Sequence, residues 1–365
     1  PYIEHLYKKD IKSINCYNGT GVAILNDGSI ALWGTNVYGG IGNGDIDNDI
    51  PEGETATPVS PYRLCFDEPI KDAGSVISSY ALTESGTLYT WGLNNTYEAG
   101  LEGKPVLTPT KIEEIDGVKQ VSTSTSFTLA LKEDGTVYHA GIKMELFESA
   151  HDYDWYGSES EQDKVFTKLP LDFKCEKICT SGMSYVFLSD DGSVYIQGIL
   201  LTDINMEKPD LVFNTPAKID FPEKIVDVAA LAFNVVAVSE TGGVYVFGSP
   251  GLGLSDAETD ARISDLIYKK DLENIKSVDG RHFVAGALSE SGEIYVWGID
   301  TKGIINEENA GLPQGRLDIV SKPTKLEYQN IAQICIGNSN GTAVSKDGEM
   351  YIWGDDSIGQ IIKFE

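Results

Sequence analysis

The chain has 365 residues, is 41% hydrophobic and carries a formal net charge of −28 at pH 7. A field of that sign repels phosphate backbones and anionic lipid surfaces, so neither direct nucleic-acid binding nor a membrane partner is expected. The apolar fraction supports a substantial core, and no apolar run reaches the roughly 18 residues that a membrane helix needs, so a soluble protein is expected.

Along the chain one eight-residue phrase returns seven times. It reads DGSIALWG (Asp27–Gly34), SGTLYTWG (Ser85–Gly92), DGTVYHAG (Asp134–Gly141) and DGSVYIQG (Asp191–Gly198), then TGGVYVFG (Thr241–Gly248), SGEIYVWG (Ser291–Gly298) and DGEMYIWG (Asp347–Gly354). Asp-Gly or Ser-Gly between apolar runs signals a hairpin, because glycine accepts the positive φ that tight turns require. The residues after each turn are apolar or aromatic at odd and even positions alike, as in Val244, Tyr245, Val246 and Phe247. A strand of that composition is covered on both faces, so successive sheets are expected to stack.

Each unit reads as four short strands, most clearly TKIEEI from Thr110, then VKQVSTS, FTLALKEDG and TVYHAG. Strands equivalent to the first begin at His5, Pro61, Thr167, Pro216, Ile267 and Pro323. The third carries alanine five residues before the turn glycine in six copies: Ala23, Ala81, Ala130, Ala237, Ala287 and Ala343. Turn glycines at 28, 86, 135, 192, 242, 292 and 348 span the whole chain at intervals of 49 to 58 residues. A four-stranded sheet repeated at that period predicts an all-β fold, a seven-bladed β-propeller forming one domain over residues 1–365. The turn glycines are expected on one rim and the loops after each Trp-Gly position on the other. His5 to Lys8 match an opening strand and Ile361 to Phe364 follow the last Trp-Gly, so the two termini are expected to seal the ring.

The period, the G-x-VY-x-WG ending, the alanine-rich strand, WGTNVYGGIG (Trp33–Gly42) and WGDDSIGQI (Trp353–Ile361) resemble the regulator of chromosome condensation repeat family over the whole chain. In that family an asparagine and a Gly-Gln follow the Trp-Gly. The resemblance implies a seven-bladed propeller and, from the namesake's activity, guanine-nucleotide exchange on a small GTPase as one functional reading. The family's frequent histidine eight residues before the turn glycine is replaced here by Thr20, Ser78, Phe127, Ser184, Asn234, Val284 and Asn340. His282 lies two places away. No segment matches the wedge loop of the family's exchange factors.

Catalytic motifs are absent: there is no GxSxG, HExxH or GxxxxGK[ST], and the four histidines at 5, 139, 151 and 282 have no partner by spacing. His139 falls where other copies carry Leu32, Thr90, Ile196, Val246, Val296 and Ile352, so a packed strand residue is expected. Asp45, Asp47 and Asp49 alternate like the start of a calcium loop, but Ile50 and Ala56 stand where glycine and a bidentate acid are needed. No metal and no cofactor is expected. Cys16, Cys179 and Cys335 read as small core residues, and free thiols favour a reducing compartment, hence a cytoplasmic location. The chain begins at Pro1, so a processed product or excised segment is expected.

Two loops after the Trp-Gly position stand out. Residues 35–57 hold Asp45, Asp47, Asp49, Glu52 and Glu54 with no Lys or Arg, and residues 142–164 hold seven acids against Lys143 and Lys164. The second also carries Asp152, Tyr153, Asp154, Trp155 and Tyr156, a composition suited to a protein-binding hot spot. The expected function is therefore a non-enzymatic interaction module whose loop rim takes a protein with a basic surface. The alternatives are exchange on a small GTPase and a proteinaceous enzyme inhibitor.

Overall fold

The computed structural model describes residues 2, 10–17, 20–47, 56–103, 105–145, 161–201, 211–249, 266–300, 303–306, 318–337 and 340–354. These hold 27 strands and no α-helix. The first sheet is β1 (Ile11–Tyr17), β2 (Thr20–Leu25), β3 (Ile30–Gly34) and β4 (Val59–Leu64), and the second is β5 (Ile70–Ser75), β6 (Ser78–Thr83), β7 (Leu88–Gly92) and β8 (Val106–Lys111). The third is β9 (Val118–Thr123), β10 (Phe127–Lys132), β11 (Val137–Ile142) and β12 (Gln162–Lys168). The fourth is β13 (Cys175–Thr180), β14 (Ser184–Ser189), β15 (Val194–Leu200) and β16 (Leu211–Ile219). The fifth is β17 (Ile225–Ala230), β18 (Asn234–Ser239), β19 (Val244–Gly248) and β20 (Leu266–Tyr268), and the sixth β21 (Ile275–Arg281), β22 (Val284–Ser289), β23 (Ile294–Asp300) and β24 (Asp318–Lys325). The seventh has three strands among the described residues: β25 (Ile331–Ile336), β26 (Asn340–Ser345) and β27 (Met350–Gly354). Every sheet is an up-and-down meander, and the fold class is the expected seven-bladed β-propeller.

The phase of the repeat differs from the sequence reading. Strands such as Pro61–Leu64 and Pro323–Lys325 do not open a blade; they close the preceding one, with Tyr62 opposite Leu32 and Thr324 opposite Val296. They form the outer edge, where a proline without an N–H is tolerated. Residues 5–8, the expected opening strand of the first unit, lie outside the described residues.

Internal contacts divide the chain into two compact units, the first carrying the sheets of β1 to β12 and the second those of β13 to β24. Within the first, Val22, Ile24, Ile30 and Leu32 of one sheet pack against Ile70, Ala73, Ala81 and Trp91 of the next. Tyr80, Leu82 and Leu88 meet Val118, Val121, Ala130 and Phe166 in the same way. The second unit repeats the arrangement between β17–β19 and β21–β23. Each fully buried side chain of this size contributes about 1.5–3 kcal/mol, so face-to-face packing of sheets dominates the stability. The recurring alanine of the second strand is buried in all six copies that carry it, as is Phe187, which takes its place in the fourth sheet.

Both glycines of the phrase have a structural reason. Gly86, at φ 89°, ends the β6–β7 turn, and its carbonyl accepts the Val118 N–H of the next sheet at 3.0 Å. A Cβ there would lie 2.8 Å from that nitrogen. Gly298, at φ 125°, would place a Cβ 2.1 Å from the Phe283 carbonyl oxygen, so the paired strand approaches as closely as only glycine permits.

In the second unit, charged groups bolt the first strands of successive sheets together. Asp227 of β17 accepts from Lys177 Nζ of β13 and, at 2.9 Å, from the Val278 N–H of β21. Asp279 of β21 accepts the Ile336 N–H of β25 at 2.6 Å. Cys335 is buried as expected, Cys179, also expected in the core, is part-buried, Cys175 is buried and Cys65 is exposed; all four are free thiols. The side chain of Cys16 lies outside what is described. Burial pushes the Cys175 thiol up to about 12 and Cys179 to about 11, which keeps both protonated and unreactive.

Candidate protein-interaction face

Loops leave the sheets at the end opposite the turn glycines, and one side chain two residues past the Trp-Gly position organises several of them. Asn36 accepts the Ile41 N–H at 3.1 Å and donates to the Asp45 carbonyl at 3.0 Å. Asn94 accepts the Ala99 N–H at 2.8 Å and donates to the carbonyls of Leu101 and Gly103. Asp300 accepts the amides of Gly303, Ile304 and Asn306. A side-chain carbonyl at this place satisfies backbone donors that a short loop would otherwise orphan. The residues two places past Gly141, Gly198 and Gly248 are Lys143, Leu200 and Pro250, none of which has a side chain that can accept in that way.

Asp45 and Asp47 lie together in the first of these loops. Asp45 is exposed and its carboxylate accepts the Ile46 N–H at 2.9 Å; the Asp47 N–H donates to the Asn36 carbonyl at 3.0 Å. No cluster among the described residues could hold a metal ion. Asp49, Asp152, Tyr153, Asp154, Trp155 and Tyr156 lie outside the described residues.

The base of the 142–164 segment is described and departs from the sequence reading. One of its seven acids, Asp163, belongs to β12 and is not displayed: its side chain is 12% exposed and its Oδ2 lies 2.9 Å from His139 Nδ1. His139 is fully buried on β11, as expected, but it does have a positioned partner. Its Nε2 lies 3.0 Å from the Ile142 carbonyl oxygen, and Lys143 Nζ reaches Asp163 Oδ1 at 3.5 Å. Burial works to raise the Asp163 carboxyl, but the hydrogen bond and charge of His139, with Lys143, outweigh it and hold the group below the ordinary carboxylate range. The pairing links residues 24 apart, through Gly141 opposite Asp163, which spacing alone cannot reveal. The available signal was a histidine in one copy where six others are apolar or threonine.

Nearby, Tyr97 holds φ 62° where the first repeat has Gly39 at 67°, and Lys164 Nζ sits 5.4 Å from its ring centre. Next to it, Glu98 occupies the position of Gln360 in the last repeat and is buried, accepting the Thr96 N–H at 2.8 Å and Oγ1–H at 2.7 Å. Burial pushes its carboxyl up, against the hydrogen bonds from Thr96. An acid raised on folding destabilises as it ionises, so wild-type stability carries a component lost as pH rises from the ordinary carboxyl value to the raised one. Glu98→Gln keeps an acceptor and removes that component. Its melting temperature is expected to exceed wild type at pH 7.5 and to approach it near pH 4, and a variant less stable at both values would contradict this. His282, at φ 48°, gives its carbonyl to the Ala232 N–H at 2.9 Å, and burial with the Arg281 charge lowers its ring to about 4. It is neutral at pH 7.

The Regulator of chromosome condensation (RCC1) repeat model matches residues 85–131, which run from the β6–β7 turn into β10. Among solved structures, human WBSCR16 superposes with a TM-score of 0.69 at 19% identity, covering 91% of this chain and 89% of that one. Prp20p from Saccharomyces cerevisiae superposes with a TM-score of 0.68, also at 19% identity, covering 95% and 83%. The chain is an RCC1-like repeat propeller. Protein pim1 of Schizosaccharomyces pombe is 25% identical over 316 residues, 76% of this chain and 57% of that protein, so the RCC1-like chain spans little more than half the length of this relative. Of the two loop asparagines, Asn94 lies within the matched repeat.

Proposed function

We propose that this RCC1-like chain is a protein-protein interaction module that receives a basic partner at the loop ends of its sheets, over a sector from residues 35–57 to residues 142–164. The observation that carries the reading is the composition of the second segment, acids interleaved with Tyr153, Trp155 and Tyr156, on a base fixed by the buried His139–Asp163 pair. Aromatic anchors beside acids suit a patch that captures Lys and Arg side chains. Asp45, Asp47, Asp49, Asp152 and Asp154 raise the rate of encounter, since rim charges act on association more than on dissociation.

The test is affinity capture of partners on the full chain, followed by binding measurements with the captured protein. Binding is expected to weaken as salt rises from about 50 to 300 mM, where screening shortens the reach of exposed charges. Trp155→Ala is expected to cost about 2 kcal/mol or more of binding with no loss of folding. Binding insensitive to both changes would place the contact elsewhere on the chain.

A second reading has one specific support: the solved Prp20p structure is described together with its binding to Gsp1p and histones. On this reading the partner is a small GTPase and the activity is nucleotide exchange. Release of a fluorescent GDP analogue from candidate GTPases separates the two, because a pure binding module leaves the release rate unchanged.

A further inference from the structure

We propose that Asn43 is a site of spontaneous covalent modification, where the chain converts this side-chain amide to a carboxylate through the Gly44 backbone nitrogen and so adds a negative charge to the first acidic loop. The Gly44 nitrogen gives up its proton and bonds to Asn43 Cγ, the bond from Cγ to Nδ2 breaks, and Nδ2 takes up a proton and leaves as ammonia. A five-membered imide remains. Water then opens it at either carbonyl to give aspartate or isoaspartate, so the balance is amide plus water to acid plus ammonia, with no change of oxidation state. Attack is easiest where the following residue has no Cβ to crowd its nitrogen, which only glycine provides.

Asn-Gly pairs stand at 18–19, 43–44 and 340–341, and the first lies outside the described residues. The structure separates the other two. Asn340 is 1% exposed on β26 and Gly341 pairs with Ile336 of β25, so the backbone cannot turn onto that amide without opening the sheet. Asn43 is half-buried and Gly44 is exposed in a bend of the loop, at φ 90°. The Gly44 N–H donates to the Leu107 carbonyl at 3.0 Å, and opening this loop contact frees the nucleophile. The electrophile is already polarised: Asn43 Oδ1 accepts the Asp45 N–H at 3.1 Å and Asn36 Nδ2 at 3.3 Å, two donors that favour the charge this oxygen gains on attack. The departing nitrogen, Nδ2, donates to Tyr2 Oη at 3.1 Å. Either product places a carboxylate beside Asp45 and Asp47 and removes the donor to Tyr2, and isoaspartate also lengthens the main chain by one carbon.

The chemistry stands apart from the partner reading, on which only the effect of the added charge on binding rests, and its test needs no partner. The full chain is incubated near neutral pH, and peptide mapping by mass spectrometry follows conversion at Asn43 and Asn340, with fragmentation separating isoaspartate from aspartate. In the folded chain conversion at Asn43 is expected to outpace that at Asn340 at least about tenfold, because a loop contact opens far more readily than a ladder in the core. In urea the two rates are expected to converge, since both amides then precede glycine in an open chain. Isoaspartate is expected among the products at Asn43, because direct hydrolysis of the amide gives aspartate alone. An Asn43 that converts no faster than Asn340 in the folded chain overturns the proposal, as does a product free of isoaspartate or a tenfold preference that persists in urea.

Discussion

Gly298→Ala is expected to cost the protein on the order of 3–5 kcal/mol, close to the whole stability of a typical domain. At φ 125° an alanine is strained, and its Cβ would lie 2.1 Å from the Phe283 carbonyl oxygen. That oxygen cannot retreat freely, because it accepts the Ile299 N–H at 2.9 Å near the end of β23. The same geometry recurs at Gly141, Gly198 and Gly248, with contacts of 2.3, 2.3 and 2.2 Å to backbone oxygens. Gly348→Ala is the control. That glycine also has a positive φ, 83°, but no atom lies within 4 Å of the position a Cβ would take, so only the left-handed penalty of about 1–2 kcal/mol remains. Urea unfolding of both variants separates the effects through their midpoints at constant m. Equal shifts would mean that the close approach at Gly298 relaxes at little cost.

These glycines were legible in the sequence because a tight turn and a close strand approach each tolerate one residue type, so all seven copies keep them. The number of sheets and their stacking followed from the same phrase. Its phase did not. Periodicity is unchanged by moving the start of the unit, and the strand at Pro61 to Leu64 is separated from β3 by a long loop and from β5 by a short one. Chain proximity favours β5, whereas the ladder pairs Ile30 with Leu64 and Leu32 with Tyr62. Of the loop organisers, Asn36 stood inside a family-like phrase without its role and Asn94 was not singled out, since the backbone groups they hold lie five to nine residues away along a loop whose path only coordinates reveal. His139 was assigned correctly to a packed strand. Its partner was hidden for the reason that makes it informative: the departure from an apolar residue is compensated on the neighbouring strand, not within the repeat.

Asp227→Ala is expected to destabilise the second unit by about 3 kcal/mol, because this one carboxylate serves three consecutive sheets. Its loss orphans the buried Val278 N–H, worth about 1–3 kcal/mol, and leaves the Lys177 ammonium without its counter-ion. Removing one partner of a fully buried pair costs about 3–5 kcal/mol, but the Lys177 side chain is 28% exposed and keeps some water, so the charge contribution is smaller here. Asp227→Asn retains an acceptor for Val278 and is expected to cost less than half as much. Lys177→Met tests the electrostatics separately through pH. Burial raises the Asp279 carboxyl; Lys177 lowers it and Asp227 raises it further. Without the lysine two carboxylates face each other unscreened and Asp279 rises more. An acid raised on folding binds its proton more tightly in the native state, so stability falls as pH climbs from the ordinary carboxyl value to the raised one. Lys177→Met is therefore expected to match wild type most closely near pH 4 and to lose stability relative to it as pH approaches 7. A deficit independent of pH would mean that Lys177 acts through the packing of its methylene stem and not through its charge.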